Sequence, residues 1–285
     1  MTVGEFVRTV VERLSPLYPE NEAKSMAFRL LDACYGVPSY KYVSESYTEL
    51  DKVAGRRMQD APDAFEALEK IAGGCPIQYV LGFAEFRSLR FKVGEGCLIP
   101  RPETEELVAQ ALEFCRDIPE DEPFNILDMG TGSGCIAFSM AAEVPGAMVY
   151  ACDLSPKALD IACRQRIKLQ GARPVFFLAD MLLDPPAGLP HFDVIISNPP
   201  YVRESEKSAM RTNVLDWEPE EALFVPDDDP LKYYRAISSW ADKLLKEDGH
   251  VCVEINEDLS RDTAALFPGS KVLRDIFGKP RFVIR

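Results

Sequence analysis

Apolar positions in residues 1–73 recur at helical spacing. Phe6, Val7, Val10, Val11 and Leu14 form one stripe, and Ala23, Met26, Ala27, Leu30, Leu31 and Cys34 form another. Gly36 and Pro38 stop the second helix. A third helix is expected near residues 47–58 and a fourth over 63–72, ended by Gly73-Gly74. Four short helices joined by short loops predict a small bundle. From Pro76 to Pro100 the spacing changes. Tyr79-Val80-Leu81, Phe86 and residues 89–93 read as short strands around turns, plausible as a hairpin linker. Pro102 suits the first turn of a helix that runs to Arg116.

Beyond Pro123 strand and helix patterns alternate. Strands are expected over residues 124–128, 147–152, 174–178, 192–197, 250–255, 271–277 and 281–285. Helices are expected over 135–143, 156–170, 231–246 and 258–267. Such alternation predicts an α/β fold whose parallel sheet is covered on both faces. A turn at Gly278-Lys279-Pro280 makes the last of the seven strands an antiparallel partner. Three regions follow: helices over 1–74, a β-hairpin linker over 75–100, and the sheet domain over 101–285.

The chain of 285 residues suits about two domains and buries a core without staples. With 32 basic and 46 acidic residues, its net charge of −14 opposes binding to a phosphate backbone, so no nucleic-acid partner is expected. The 8 cysteines show no C-x-x-C pair, and with 2 histidines no zinc signature can be written, so no metal is expected. No apolar run approaches a membrane span and no signal-peptide core opens the chain, so a cytoplasmic protein is expected.

Candidate chemistry gathers where strands end. Asp128-Met129-Gly130-Thr131-Gly132-Ser133-Gly134 joins the strand at 124–128 to a helix. Glycines allow a tight turn and close approach of a ligand, and the helix N-terminus offers unpaired N–H groups. The spacing is G-x-G-x-G, with Cys135 where a dinucleotide site has its last glycine. That favours a nucleoside ligand without a pyrophosphate, such as S-adenosylmethionine. Asp153 ends the next strand, where a carboxylate can accept from both ribose hydroxyls. It would serve a dehydrogenase equally well, or cap the helix at Pro156. Asp180 and Met181 end the third strand, placed to edge and cover an adenine.

Asn198-Pro199-Pro200-Tyr201 follows the apolar strand 192–197 directly. Ligands of open parallel sheets bind at the carboxyl ends of strands. The prolines hold Asn198 extended and leave rigid carbonyls without N–H groups. The Asn198 side-chain oxygen and the Pro199 carbonyl can accept both hydrogens of one planar –NH2 group, and Tyr201 offers a face to stack on it.

At these residues the chain resembles the amino-methyltransferases, and more closely the peptide chain release factor glutamine N5-methyltransferases. The matching stretches are Pro76-Ile77-Gln78-Tyr79-Val80-Leu81-Gly82, residues 98–105, 128–134 and 197–202, Glu218-Pro219 with Ala222-Leu223, and Tyr234-Arg235-Ala236-Ile237. They cover about residues 65–285; the run Ile99-Pro100-Arg101-Pro102-Glu103-Thr104-Glu105 is the most family-specific. The chain departs from the pattern at 225–231, at Glu254-Ile255-Asn256-Glu257, and at Ser88, where glycine is frequent. The role of Asp227-Asp228-Asp229 is left open.

The resemblance implies a Rossmann-like class I methyltransferase sheet of seven strands with an N-terminal helical substrate-docking domain. It implies methyl transfer from S-adenosylmethionine to the glutamine of a Gly-Gly-Gln loop in class 1 release factors. Gly130, Thr131, Gly132, Ser133, Gly134, Asp153, Asp180, Met181 and Asn198 would line the cofactor site. Asn198, Pro199, Pro200 and Tyr201 would hold the substrate, with Asn198, Pro199 and Tyr201 catalytic. A ribosomal-protein glutamine methyltransferase and a nucleic-acid amino-methyltransferase are the alternatives.

Overall fold

A computed structural model describes residues 1–58, 61–116 and 123–285. They form two compact units: Met1–Gly82 with Arg211–Trp217, and Phe83–Met210 with Glu218–Arg285. The hairpin expected as a linker therefore lies inside the second unit, and a short segment after Met210 belongs to the first.

The first unit is helical: α1 (Val3–Leu14), α2 (Glu20–Tyr35), α3 (Tyr42–Glu45), α4 (Leu50–Val53), α5 (Ala64–Ala72) and α6 (Ile77–Leu81). Phe6, Val7, Val10 and Leu14 of the predicted stripe are buried together with Val3, while Val11 is half-buried. Thr2 and Glu5 form a reciprocal capping box at its start. Of the helix expected over 47–58 only the single turn α4 forms. The backbone on either side of it is used to close other helices instead. Ser46 and Thr48 carbonyls accept the N–H groups of Gly4 and Val3 at 2.8 and 3.0 Å. Farther on, Gly55 and Met58 donate to the Tyr35 and Ala33 carbonyls at the end of α2. These are the groups a helix leaves unpaired at its two ends. Tyr79-Val80-Leu81 is helical rather than extended, started by the Pro76 carbonyl and stopped by Gly82 at φ +75°.

The second unit opens with the antiparallel hairpin β1 (Phe83–Phe86) and β2 (Leu89–Lys92), followed by α7 (Pro102–Glu113). Then come β3 (Phe124–Met129), α8 (Cys135–Glu143), β4 (Ala147–Asp153), α9 (Pro156–Cys163), β5 (Val175–Leu178) and β6 (Phe192–Ser197). A small pair, β7 (Val202–Arg203) and β8 (Phe224–Val225), flanks α10 (Thr212–Leu215), which belongs to the first unit. The chain closes with α11 (Lys232–Leu244), β9 (Leu245–Glu254), α12 (Ser260–Ala265), β10 (Lys271–Arg274) and β11 (Pro280–Ile284). Seven strands form one sheet in the order β10-β11-β9-β6-β3-β4-β5. All its pairings are parallel except those of β11, antiparallel to both β9 and β10. The expected sheet is thus the one present. Apolar side chains of β3, β6 and β9 pack on both faces, with Phe138 of α8 in one core and Tyr234 and Trp240 of α11 in the other.

Two departures have local causes. The turn Arg87-Ser88 takes φ of +46° and +60°, the twist a two-residue hairpin prefers but side chains resist. Arg87 is held there by both oxygens of Glu143, at 2.7 and 2.8 Å, and by the Glu105 carbonyl. Helix α9 stops at Cys163, short of residue 170, because Gln165 turns inward. Its side chain accepts from the Lys92 N–H at 2.8 Å and donates to the Lys92 and Ser133 carbonyls at 2.9 and 3.0 Å. One buried amide so joins β2 to the loop after β3. Replacing it orphans buried backbone groups. Gln165→Leu is therefore expected to lower the unfolding free energy by about 1–3 kcal/mol. Urea denaturation measures it; a change below about 0.5 kcal/mol, the size of a surface substitution, contradicts this role.

Candidate active site

Parallel pairing sets the ends of β3, β4, β6 and β9 side by side, with Met129 opposite Cys152 and Ser197, and Ser197 opposite Val253. The Ser197 hydroxyl ties this edge further, donating to the Met129 carbonyl at 2.6 Å. Immediately beyond it stand the glycine loop, Asp153, Asn198 and the end of β9.

The loop turns through Gly130, Gly132 and Gly134 at φ +74°, +55° and +81°. Gly130 and Thr131 N–H groups both donate to the Cys152 carbonyl at 2.9 Å. Thr131 and Ser133 side chains are buried, so the loop presents backbone to its open side. Beneath it lies the fully buried Asp128. One of its oxygens accepts the Thr131 hydroxyl at 2.5 Å and the Ala137 N–H at 3.1 Å, while the other has no hydrogen-bond partner among the described residues. Burial raises its pKa to about 7 against those two hydrogen bonds. Sequence reading did not single out Asp128, although a carboxylate closing a wholly buried strand is a visible signal.

Asp153 braces the loop. Its oxygens accept the Gly132 and Ser155 N–H groups, each at 2.8 Å. Burial raises its pKa despite these donors. The cap of α9 is Ser155, which accepts the Ala158 N–H, so Asp153 is not needed there. Met181 reaches the same loop: a Cβ placed on Gly130 would stand 3.3 Å from its Cε. Asp180 instead shapes a turn, accepting the Leu182 N–H at 2.9 Å. The space beside Gly132, where a Cβ would meet nothing within 4 Å, is open. Bare glycine backbone, a carboxylate and an apolar cover together fit a nucleoside.

Asn198 is partly exposed and Pro199 buried. The Asn198 Nδ2 donates to Thr104 Oγ1 at 2.9 Å, and Thr104 donates in turn to Glu254 Oε2 at 2.8 Å. Tyr201 donates its hydroxyl to the other Glu254 oxygen at 2.8 Å. Glu254, at the end of β9, is buried, and that burial raises its pKa to about 7, opposed by Thr104, Tyr201 and Arg281. Burial and the adjoining carboxylate push the Tyr201 hydroxyl well above its ordinary range. Thr104 sits in the first turn of α7. The segment before it is held by the buried Glu218, which accepts from the Ile99 N–H at 3.0 Å and the Arg101 guanidinium at 2.5 Å. Thr104 and Glu218 lie within the stretches that match the family and Glu254 in one that departs from it, and the sequence alone gives none of them a role. Asp227 and Asp229 brace Ser205 and Arg235.

A family described as methyltransferase small domain matches residues 110–217. The release factor glutamine methyltransferase of Bacteroides thetaiotaomicron is 37% identical over 277 residues, covering 95% of each chain. That of Flavobacterium psychrophilum is 35% identical, covering 99% of this chain and 98% of the relative. That of Chlorobaculum tepidum is 39% identical over 69% of this chain and 68% of its own. With identity of this degree running through both units, the chain belongs to the release factor glutamine methyltransferase family.

Proposed function

We infer that this enzyme transfers the methyl group of S-adenosylmethionine to the side-chain amide nitrogen of the glutamine in the Gly-Gly-Gln loop of class 1 release factors. The observation that carries this reading is the hydrogen bond from Asn198 Nδ2 to Thr104, which leaves Asn198 Oδ1 as the group turned to a substrate. A cytoplasmic location goes with such a substrate; among the described residues no helix is long and apolar enough to cross a membrane.

Gly130, Gly132 and Gly134, with Asp153 and Met181, would hold the donor, whose sulfonium supplies an activated methyl and a good leaving group. The remaining task falls to the protein. An amide nitrogen is a poor nucleophile because its lone pair is delocalised into the carbonyl. Asn198 Oδ1 and the Pro199 carbonyl accept its two hydrogens and favour positive charge on nitrogen as the new bond forms. By analogy with oxyanion donors each contributes about 3 kcal/mol. Tyr201, held by Glu254, limits where the amide plane lies. Holding the reacting atoms in line contributes on the order of 7–11 kcal/mol. A proton leaves the methylated amide readily, so no side chain is assigned as base. Glycines flanking the glutamine let that loop enter a narrow site.

The first unit serves as the docking arm for the rest of the substrate. Tyr40, Val43 and Tyr47 there are 75%, 88% and 95% exposed, large side chains open to solvent. The net charge of −14 favours a partner with a basic surface.

Four outcomes are expected. Asp153→Ala loses charge-assisted hydrogen bonds of about 1.5–3 kcal/mol each, weakening S-adenosylhomocysteine at least tenfold by calorimetric titration; unchanged affinity rejects the ribose assignment. Asn198→Ala abolishes measurable turnover while the melting temperature moves little, since the side chain is partly exposed; turnover within a few-fold of wild type rejects the mechanism. Changing Tyr40, Val43 and Tyr47 together to serine lowers methylation of a whole release factor far more than that of a short Gly-Gly-Gln peptide. Equal losses on both substrates mean that these residues support folding alone. For the substrate itself, mass mapping after labelled methyl transfer must find one methyl on that glutamine.

A further inference from the structure

Glu254 is buried, and both of its carboxylate oxygens are committed, one to Thr104, which in turn holds Asn198, and one to Tyr201. Oε2 takes the Thr104 hydroxyl at 2.8 Å and Oε1 takes the Tyr201 hydroxyl at 2.8 Å. Thr104 and Glu254 are 2% and 1% exposed, so water does not substitute for either partner. A carboxylate only accepts, and a hydroxyl has one proton. Thr104 must therefore donate to Glu254, and its remaining capacity toward Asn198 is as an acceptor. That forces the Asn198 –NH2 inward and its oxygen outward.

We propose that Glu254 is the positioning residue of the reaction, a carboxylate that sets the orientation of the Asn198 amide through Thr104 and pins Tyr201 opposite it. The inference rests on the reading of Asn198 as acceptor for the substrate amide. If Glu254 gains a proton, or becomes glutamine, it can donate to Thr104. The Thr104 hydroxyl then donates onward, the Asn198 oxygen turns inward to accept, and Asn198 meets the substrate –NH2 with its own –NH2. Donor facing donor removes the interaction on which turnover depends. The enzyme is thus active with Glu254 ionised and loses activity as pH falls.

The groups that face Glu254 come from four directions. Glu103 and Thr104 lie on α7, Tyr201 follows β6, Tyr234 on α11 donates to the Glu254 carbonyl at 3.1 Å, and Arg281 on β11 supplies the opposing charge. Both tyrosines are pushed up by burial and stay neutral through the physiological range. Burial brings the Glu254 carboxyl to about 7, so its proton exchanges where enzymes work.

The test pairs kinetics with an observable that needs no substrate. Wild type, Glu254→Gln, Thr104→Val and Thr104→Ser are assayed on a whole release factor from pH 6 to pH 9, roughly the span around neutrality where a carboxyl so displaced titrates. In 15N-labelled enzyme the Asn198 side-chain amide signals, assigned by their loss in Asn198→Ala, are followed over the same range. Wild-type kcat should fall on the acid side with a midpoint near 7, and the Asn198 signals should move with that midpoint. Glu254→Gln and Thr104→Val should each lower kcat by about 10²-fold, flatten the pH profile and abolish the Asn198 titration. Binding of S-adenosylhomocysteine should stay within a few-fold, which separates mispositioning from misfolding. Thr104→Ser, which keeps the hydroxyl, should recover most of what Thr104→Val loses. Variants with nearly full activity overturn the proposal, and so does lost activity alongside Asn198 signals in wild type that ignore pH. Absence of methyl transfer by the wild-type enzyme, with the Asn198 titration present and lost in both variants, rejects the substrate reading and upholds the relay.

Discussion

Parallel hydrogen bonding between β3 and its neighbours governs what happens at this site. The ladder fixes which residues end each strand on a common line, so that Met129, Cys152, Ser197 and Val253 share a register. One residue of slip in any strand would exchange its core and site faces. Burial on both faces prevents that slip: Ile126, Leu127, Ile195, Ile196, Val251 and Val253 are almost wholly removed from water. The candidate site is therefore located by the apolar residues behind it, not by the polar residues that line it.

Polar groups at that edge solve one recurring problem, a buried carboxylate that needs donors. Asp128, Asp153 and Glu254 each stand at or next to the end of a strand, and each is raised in pKa by burial. Each also organises a backbone or side chain beside it. Asp128 anchors Thr131, Asp153 anchors Gly132, and Glu254 anchors Thr104 and Tyr201. A carboxylate without such donors would be costly there. The desolvation that makes these groups expensive is what makes their partners' orientations definite.

Outside this edge, the second unit spends side chains to tether loops. Glu218 holds Ile99 and Arg101, and Gln165 holds Lys92 and Ser133. Both reach across more than 70 residues of chain, at separations of 119 and 117 for Glu218 and of 73 for the Gln165–Lys92 pair. Side-chain amides and carboxylates do here what a further strand does in a larger sheet, since they satisfy exposed backbone groups without adding length.

The alternation of apolar runs with amphipathic stretches was enough to determine the α/β sheet, and the turn at Gly278-Lys279-Pro280 its antiparallel last strand. Glycine spacing and Asn198-Pro199-Pro200-Tyr201 marked the site for the same reason: their conformational limits are local and belong to the residues themselves. What escaped was whatever depends on a distant partner. The segment over 47–58 carries helical spacing, but on either side of α4 its carbonyls and N–H groups are claimed by the ends of α1 and α2. Residues beyond Cys163 lose their helix to the contacts of Gln165 with β2. Thr104 and Glu254 are 150 positions apart in the chain, and Asn198 and Thr104 are 94 apart. No periodicity records such a pairing. Only the closed sheet brings them within hydrogen-bonding distance, and only there does the direction of each proton follow from which neighbour can accept it.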